Sequence, residues 1–145
     1  NYLSQFDSKV PREHENTSKR KFVGVVLTIK DVKYFAPMSS PKPKHRKLSP
    51  NMPDLYKIKG GKYGVINLNN MIPVPMSCVT QVNIENESDY KYKKLLESQR
   101  REIKIDAEVI CKKAKRLHSI ITRQENSKIK SRCCNFALLE EKCKD

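Results

Sequence analysis

Phe22-Val23-Gly24-Val25-Val26-Leu27-Thr28-Ile29, followed by Val32-Lys33-Tyr34-Phe35-Ala36 and then Pro37, decides the fold class. β-Branched and aromatic residues dominate both runs, which suits a pleated, half-buried surface better than a helix. Asp31-Val32 is expected to form the tight turn of an antiparallel hairpin, and Pro37 to end its pairing. A second hairpin is expected where residues 55–58 and 63–66 flank Gly60-Gly61. Met71-Ile72-Pro73-Val74-Pro75 leads out of it, and residues 78–84 alternate at period two as a short further strand. Beyond Glu85 the pattern becomes helical. Ser88 or Asp89 caps a stretch in which Tyr92, Leu96, Ile103, Ala107, Ile110, Ala114, Leu117 and Ile121 recur at helical steps. One long helix reaching Asn126-Ser127, or two with a bend near residues 104–106, both satisfy that spacing. Asn135 is placed to cap a last helix over residues 136–142. Strands first and helices after predict an α+β domain on a small antiparallel sheet, with a long C-terminal helical region.

Upstream, Tyr2, Leu3, Phe6 and Val10 are spaced like the end of an amphipathic helix that Pro11 stops, and residues 12–21 form a polar loop carrying Lys19, Arg20 and Lys21. The chain opens on Asn1 rather than Met, so some N-terminal residues are expected to be missing. Residues 1–145 form one domain on this reading.

Thirty Lys and Arg oppose 16 Asp and Glu among the 145 residues, a formal net charge of +14. Hydrophobic residues at 37% suffice for a modest core, so the chain is not a disordered tail. No apolar run approaches the ~20 residues of a membrane span. Four glycines without a GxxxxGK[ST] or GxGxxG pattern exclude nucleotide-binding loops. The cationic excess points to a polyanionic partner, nucleic acid first and an anionic membrane surface second, ahead of a merely basic surface. Five cysteines in odd number, with no CxxC spacing and an adjacent Cys133-Cys134 pair, read as free thiols in a reducing compartment. His14, His45 and His118 have no metal-ligand spacing, and His118 is expected on the surface of the basic helix. Carboxylates do not cluster for Mg²⁺: Glu85, Glu87 and Asp89 look like helix N-terminal acids, and Glu140-Glu141 like first-turn residues of the last helix. Cys134 is expected in the core.

The charge is concentrated in two places. Residues 91–132 hold 14 Lys and Arg against five acids, with Lys112, Lys113, Lys115 and Arg116 forming a surface suited to following phosphates. Residues 38–53 are too rich in Pro and Lys for regular structure, yet 39–47 combine two hydroxyls with Lys42, Lys44, His45, Arg46 and Lys47. Pro37, Pro41 and Pro43 stiffen that loop and hold its cations apart. Hydroxyls, backbone amides and a lysine can stabilise charge on a phosphodiester without a metal, and a crowded lysine can help move a proton. By residue type the loop is either a passive RNA-binding loop or an RNA-cleaving one.

Four blocks carry a resemblance: Phe22-Val23-Gly24-Val25-Val26-Leu27; Tyr34-Phe35-Ala36-Pro37-Met38-Ser39-Ser40-Pro41-Lys42; Gly64-Val65-Ile66-Asn67-Leu68-Asn69-Asn70-Met71-Ile72-Pro73-Val74; and Cys134-Asn135-Phe136-Ala137-Leu138-Leu139-Glu140-Glu141-Lys142. In this order they resemble the ToxN/AbiQ endoribonucleases of type III toxin–antitoxin systems, with CptN toxins as the nearest subgroup. The resemblance implies a twisted antiparallel sheet of the MazF/Kid toxin type with added helices. It implies metal-independent, sequence-preferring RNA cleavage leaving a 2′,3′-cyclic phosphate and a 5′-hydroxyl, no cofactor, a bacterial cytoplasmic location and a role in abortive phage infection. The implied partner is a repeat-derived, pseudoknot-like antitoxin RNA, processed by the toxin and held with it in a closed protein–RNA ring. The family's hydroxyl-hydroxyl-Pro-Lys stretch falls on Ser39, Ser40, Pro41 and Lys42, with Ser39 a mild departure from the more frequent Thr. Its basic residue before the first strand falls on Arg20 or Lys21. Lys19, Lys44, His45, Arg46, Lys47, Lys112, Lys113, Lys115 and Arg116 are the expected RNA-binding residues. The alternatives are a non-catalytic binder of structured RNA and a MazF-like toxin held by a protein antitoxin.

Overall fold

The computed structural model describes residues 22–29, 32–79, 81–123 and 129–143. The expected N-terminal helix end, Lys19, Arg20, Lys21, the turn residue Asp31 and the expected helix end at Asn126-Ser127 lie outside the described residues.

Strands β1 (Phe22–Ile29) and β2 (Val32–Ser39) pair antiparallel from Ile29 opposite Val32 to Phe22 opposite Pro37, with an irregularity between Val23 and Leu27. Val32 therefore belongs to the ladder rather than the turn. Pro37 does not end the pairing either. It sits opposite the first residue of β1, where a missing N–H interrupts no interior rung, and its carbonyl accepts the Asn67 N–H at 2.8 Å. β2 continues to Met38 and Ser39, which pair with Ile66 and Val65 of β4 (Val65–Ile66). β4 in turn pairs with β3 (Tyr56–Lys57), and β5 (Ile72–Pro73) lies against Tyr34 and Phe35 of β2. The result is a five-stranded antiparallel sheet in the order β1-β2-β4-β3, with β5 also on β2.

The second hairpin forms as expected, but through a 3-10 turn at Ile58–Gly61 rather than a two-residue Gly-Gly link. Residues 78–84 contain no strand among the described residues. Short 3-10 turns occupy Met76–Cys78 and Ile84–Asn86, and Gln81, Val82 and Asn83 are exposed. Period-two alternation alone cannot make a strand where no neighbour supplies the ladder.

The loop over 38–53 contains a helix that composition hid, α1 (Pro43–Lys47). Pro43 is its first residue, where the absent N–H costs nothing and the fixed φ is already helical. The long helical region is two helices, α2 (Tyr90–Ile105) and α3 (Ala107–Arg123), broken at Asp106. Asp89 caps α2 by accepting the Tyr92 N–H at 3.2 Å, and Asn135 caps α4 (Phe136–Cys143) through the Leu138 N–H at 3.2 Å. Glu140 therefore falls beyond the first turn of α4.

The core joins Tyr34 and Ala36 of β2, Ile58, Ile66, Leu68 and Met71 of the second hairpin and its exit, Ile110, Ala114, Leu117 and Ile121 of α3, and Cys133, Cys134, Phe136 and Leu139. Each large side chain buried there contributes about 1.5–3 kcal/mol. His118 is part of this core, not of the surface. It lies on the same face of α3 as Ala114 and Ile121, stacks on Phe136 with 5.6 Å between centroids, and its Nε2 is 2.7 Å from Glu140 Oε1. The Tyr34 hydroxyl donates to the same carboxylate oxygen. Burial, and then the Glu140 carboxylate, push the Tyr34 phenol far above its usual range, so it stays a donor. None of the five cysteines, all among the described residues, forms a disulfide, and Cys133 and Cys134 lie in the core. No described helix is long and apolar enough to cross a membrane.

Candidate nucleic-acid interface

The hydroxyl-rich corner begins where β2 ends. Ser39 is the last strand residue, paired with Val65, and its Oγ accepts a 2.8 Å hydrogen bond from Asn67 Nδ2. That acceptance leaves the Ser39 O–H free to donate outward. Ser40, Pro41 and Lys42 follow, all exposed. Gly64 presses from behind: a β-carbon built there would lie 2.0 Å from the Ser39 carbonyl oxygen and 3.3 Å from Pro41 N. Gly64 also holds φ at +97°, so two independent constraints demand glycine.

Lys42 is fixed by reciprocal bonds across the start of α1. Its N–H donates to His45 Nδ1 at 3.1 Å, and the His45 N–H donates to the Lys42 carbonyl at 2.9 Å. His45 is only 3% exposed, which corrects its expected role as an RNA contact. Burial first, then the neighbouring Lys44 and Lys42 charges, lower its pKa below the usual histidine value. The ring is thus neutral, with Nδ1 the acceptor, and it positions the Lys42 backbone. Lys44, Arg46 and Lys47 on α1 are exposed. At the far end of α1, Lys57 Nζ donates to the carbonyls of Arg46 (3.0 Å) and Leu48 (2.8 Å), tying the helix to β3.

Beyond that tie opens a cleft of about 930 Å³ between α3 and the 50–60 segment. Lys112, Lys113, Arg116, Val109 and Ile120 line one wall, and Pro50, Asn51, Pro53, Tyr56, Lys57 and Gly60 the other. Lys113 Nζ donates to the Pro50 carbonyl at 3.2 Å, and burial lowers its pKa despite the opposing pull of Asp54. Lys112 and Arg116 are exposed; Lys115, also exposed, does not line the cleft. Sequence reasoning thus found the two cationic elements but missed Asn67, Gly64, Tyr56 and Lys57. Only the hairpin reading of residues 55–58 hinted at Tyr56, and nothing local marked Lys57 as a helix-end donor. Among the described residues no three His, Cys, Asp or Glu side chains are grouped to hold a metal ion.

A hydroxyl-Pro-Lys corner, the basic helix that follows it and a cleft with no acid among its lining residues define a small cationic α+β protein with a surface suited to a polyanion. Comparison with known proteins gives that class a family. The model for toxin ToxN of the type III toxin–antitoxin system matches residues 1–144, and the chain belongs to this family. It is 32% identical to endoribonuclease ToxN of Pectobacterium atrosepticum, over 99% of this chain and 86% of that protein. It is 29% identical to endoribonuclease AbiQ of Lactococcus lactis subsp. lactis, over 97% and 80%. Among solved structures, one from work on a processed non-coding RNA that regulates a bacterial antiviral system superposes with a TM-score of 0.86 at 32% identity, covering 99% of this chain and 91% of that one. The structure of AbiQ, a lactococcal anti-phage endoribonuclease of the type III toxin–antitoxin system, superposes with a TM-score of 0.81 at 27% identity, covering 99% and 88%.

Proposed function

We propose that this chain is an endoribonuclease toxin that cuts RNA at the corner formed by Ser39, Ser40 and Lys42. The observation that carries the reading is how that corner is held. Ser39 is anchored by β4 and Asn67, the Lys42 backbone is clamped by His45, and Ser40 and Lys42 remain exposed. Placement of this kind supplies the larger part of catalysis when the nucleophile belongs to the substrate.

RNA carries its own nucleophile, so no serine adduct is needed. The ribose 2′-oxygen attacks the adjacent phosphorus, the bond to the 5′-oxygen breaks, and a 2′,3′-cyclic phosphate and a 5′-hydroxyl result. The 2′-hydroxyl loses a proton and the departing oxygen gains one. Lys42 neutralises charge on the non-bridging oxygens and can assist proton transfer. Ser39 and Ser40 hydrogen-bond the phosphate or the 2′-hydroxyl, and Arg20 or Lys21 clamps a neighbouring phosphate. None of these steps calls on a metal.

The same reading supplies the inhibitor: an antitoxin RNA, cut by the toxin from a repeat transcript, that fills the groove and closes a protein–RNA ring inside the bacterial cytoplasm. Residues 1–145 act as one domain, on a sheet of the MazF/Kid type. The test is cleavage of a labelled RNA in EDTA by the protein and by Ser40→Ala and Lys42→Ala. Both variants are expected to bind RNA and to lose at least a hundredfold in cleavage rate. Dependence on Mg²⁺, or full activity in both variants, refutes the assignment. Co-purification with RNA is expected; a co-purifying acidic protein would favour a protein antitoxin.

A further inference from the structure

The cleft between α3 and the 50–60 segment has a composition that the cleavage corner does not use. Its charged lining is Lys57, Lys112, Lys113 and Arg116, with no acid among its lining residues. Two of those cations are already spent on backbone carbonyls: Lys57 on Arg46 and Leu48, and Lys113 on Pro50. Lys112 and Arg116 are exposed and stand four residues apart on one face of α3, so they are side by side at the rim.

The uncharged lining is largely apolar, with Tyr56, Val109, Ile120, Pro50 and Pro53. The Tyr56 hydroxyl is committed to Asp106, so what Tyr56 offers the cleft is ring surface. Val109 is 56% exposed, an apolar side chain left on a highly charged helix. Asn51 is exposed, and of its groups the backbone N–H is engaged, with Ser49 Oγ at 3.2 Å. Its side-chain amide offers a donor and an acceptor side by side, the pair that a base edge requires.

Two exposed cations, aromatic and aliphatic surface and one side-chain amide lining the same cleft match a nucleotide unit rather than a phosphate alone. We infer that the cleft is a base-seating subsite for single-stranded RNA. One nucleobase packs against Tyr56 and Val109, Asn51 reads its edge, and Lys112 and Arg116 hold the flanking phosphates. This rests on the reading of the chain as an RNA-cutting protein and gives that reading a source of sequence preference away from the scissile bond. Position supports it. Only α1, Leu48 and Ser49 lie between Lys42 and Pro50, where the chain enters the cleft, so the two are at most about 25 Å apart and one short strand of RNA can reach both.

Fluorescence anisotropy with labelled single-stranded 2′-O-methyl RNA octamers, which lack the attacking hydroxyl, tests the subsite. One octamer is intact and the others are abasic at each position in turn. The protein is expected to lose about tenfold in affinity at one abasic position. Asn51→Ala and Val109→Glu are expected to abolish that preference, with thermal melts unchanged because both positions are exposed. Lys112→Ala with Arg116→Ala is expected to weaken every octamer alike and flatten the salt dependence. Loss of affinity at no single position, or wild-type discrimination in Asn51→Ala and Val109→Glu, overturns the subsite. A protein that binds but never cuts unmodified RNA loses the cleavage reading while the abasic series still decides the cleft; one that binds no RNA loses both.

Discussion

Replacing Gly64 with alanine examines the claim that the corner is held rather than merely displayed. The new methyl carbon would sit 2.0 Å from the Ser39 carbonyl oxygen, against an ordinary contact of about 3.4 Å, so that oxygen must retreat by about 1.4 Å. Neither neighbour yields cheaply. Ser39 is hydrogen-bonded into the sheet beside Val65 and through its Oγ to Asn67, and the next atoms met are Ser39 C at 3.2 Å and Pro41 N at 3.3 Å. A φ of +97° costs a side-chain-bearing residue a further 1–3 kcal/mol or so. Together these destabilise the fold by about 2–4 kcal/mol, while displacing Ser39, Ser40 and Pro41 as a unit. A misplacement of that size is worth roughly a hundredfold in rate. Urea unfolding gives the first quantity, and single-turnover RNA cleavage under conditions where the variant stays folded gives the second. Gly60 is the control for stability: φ is +63° but nothing lies within 4 Å of an added methyl, so alanine there costs only about 1–2 kcal/mol. Equal stability losses at positions 60 and 64, or a Gly64→Ala protein that cuts at the normal rate, would show that Gly64 does not brace the corner.

Other outcomes follow from the same geometry. His45 has a lowered pKa in the fold, so folding excludes a proton that the unfolded chain takes up. Its contribution is complete above about pH 6.5 and is lost as the pH falls below it. Urea midpoints measured from pH 7.5 to 5 are expected to drop, and less so in His45→Asn, whose amide oxygen can accept the Lys42 N–H without titrating. Glu140→Leu strands the Tyr34 hydroxyl and His118 in the core and is expected to cost about 1–3 kcal/mol, most of it recovered by adding Tyr34→Phe. Arg132→Ala removes the 3.0 Å partner of Asp54, a carboxylate 3% exposed whose Oδ1 has no hydrogen-bond partner among the described residues. Because the arginine is half exposed, the expected loss is about 1–2 kcal/mol in denaturant melts, below that for a fully buried pair.

Where a segment's own residues determined its state, the sequence was readable. The β-branched run at 22–29 and the paired run after it formed strands, and the apolar stripe of α3 formed because burying its side chains needs only some partner, whichever it is. Asp89 and Asn135 were legible as caps for the same local reason. α1 was not, since five residues with two prolines nearby give no period, and its ends are satisfied by His45 and by the distant Lys57. His118 lies one step from Leu117 on the buried stripe, but its partner Glu140 comes from another helix, so a histidine in a basic run read as surface. Residues 78–84 show the reverse error, an alternation with no neighbouring strand to meet it. At the candidate site, Ser39, Ser40 and Lys42 were visible as residue types. Asn67 and Gly64 were not, because each acts by approaching a segment some 25 residues earlier in the chain.

β2 touches β1 along one edge and both β4 and β5 along the other, and Ser39 is its final residue. Many enzymes place their working groups on loops that loosen well before the scaffold melts. Here the anchor of the corner is the strand with which three of the other four pair, so it has no private unfolding route. Amide exchange at the end of β2 should track whole-molecule opening, and heat should silence the protein only at the temperature where its sheet comes apart.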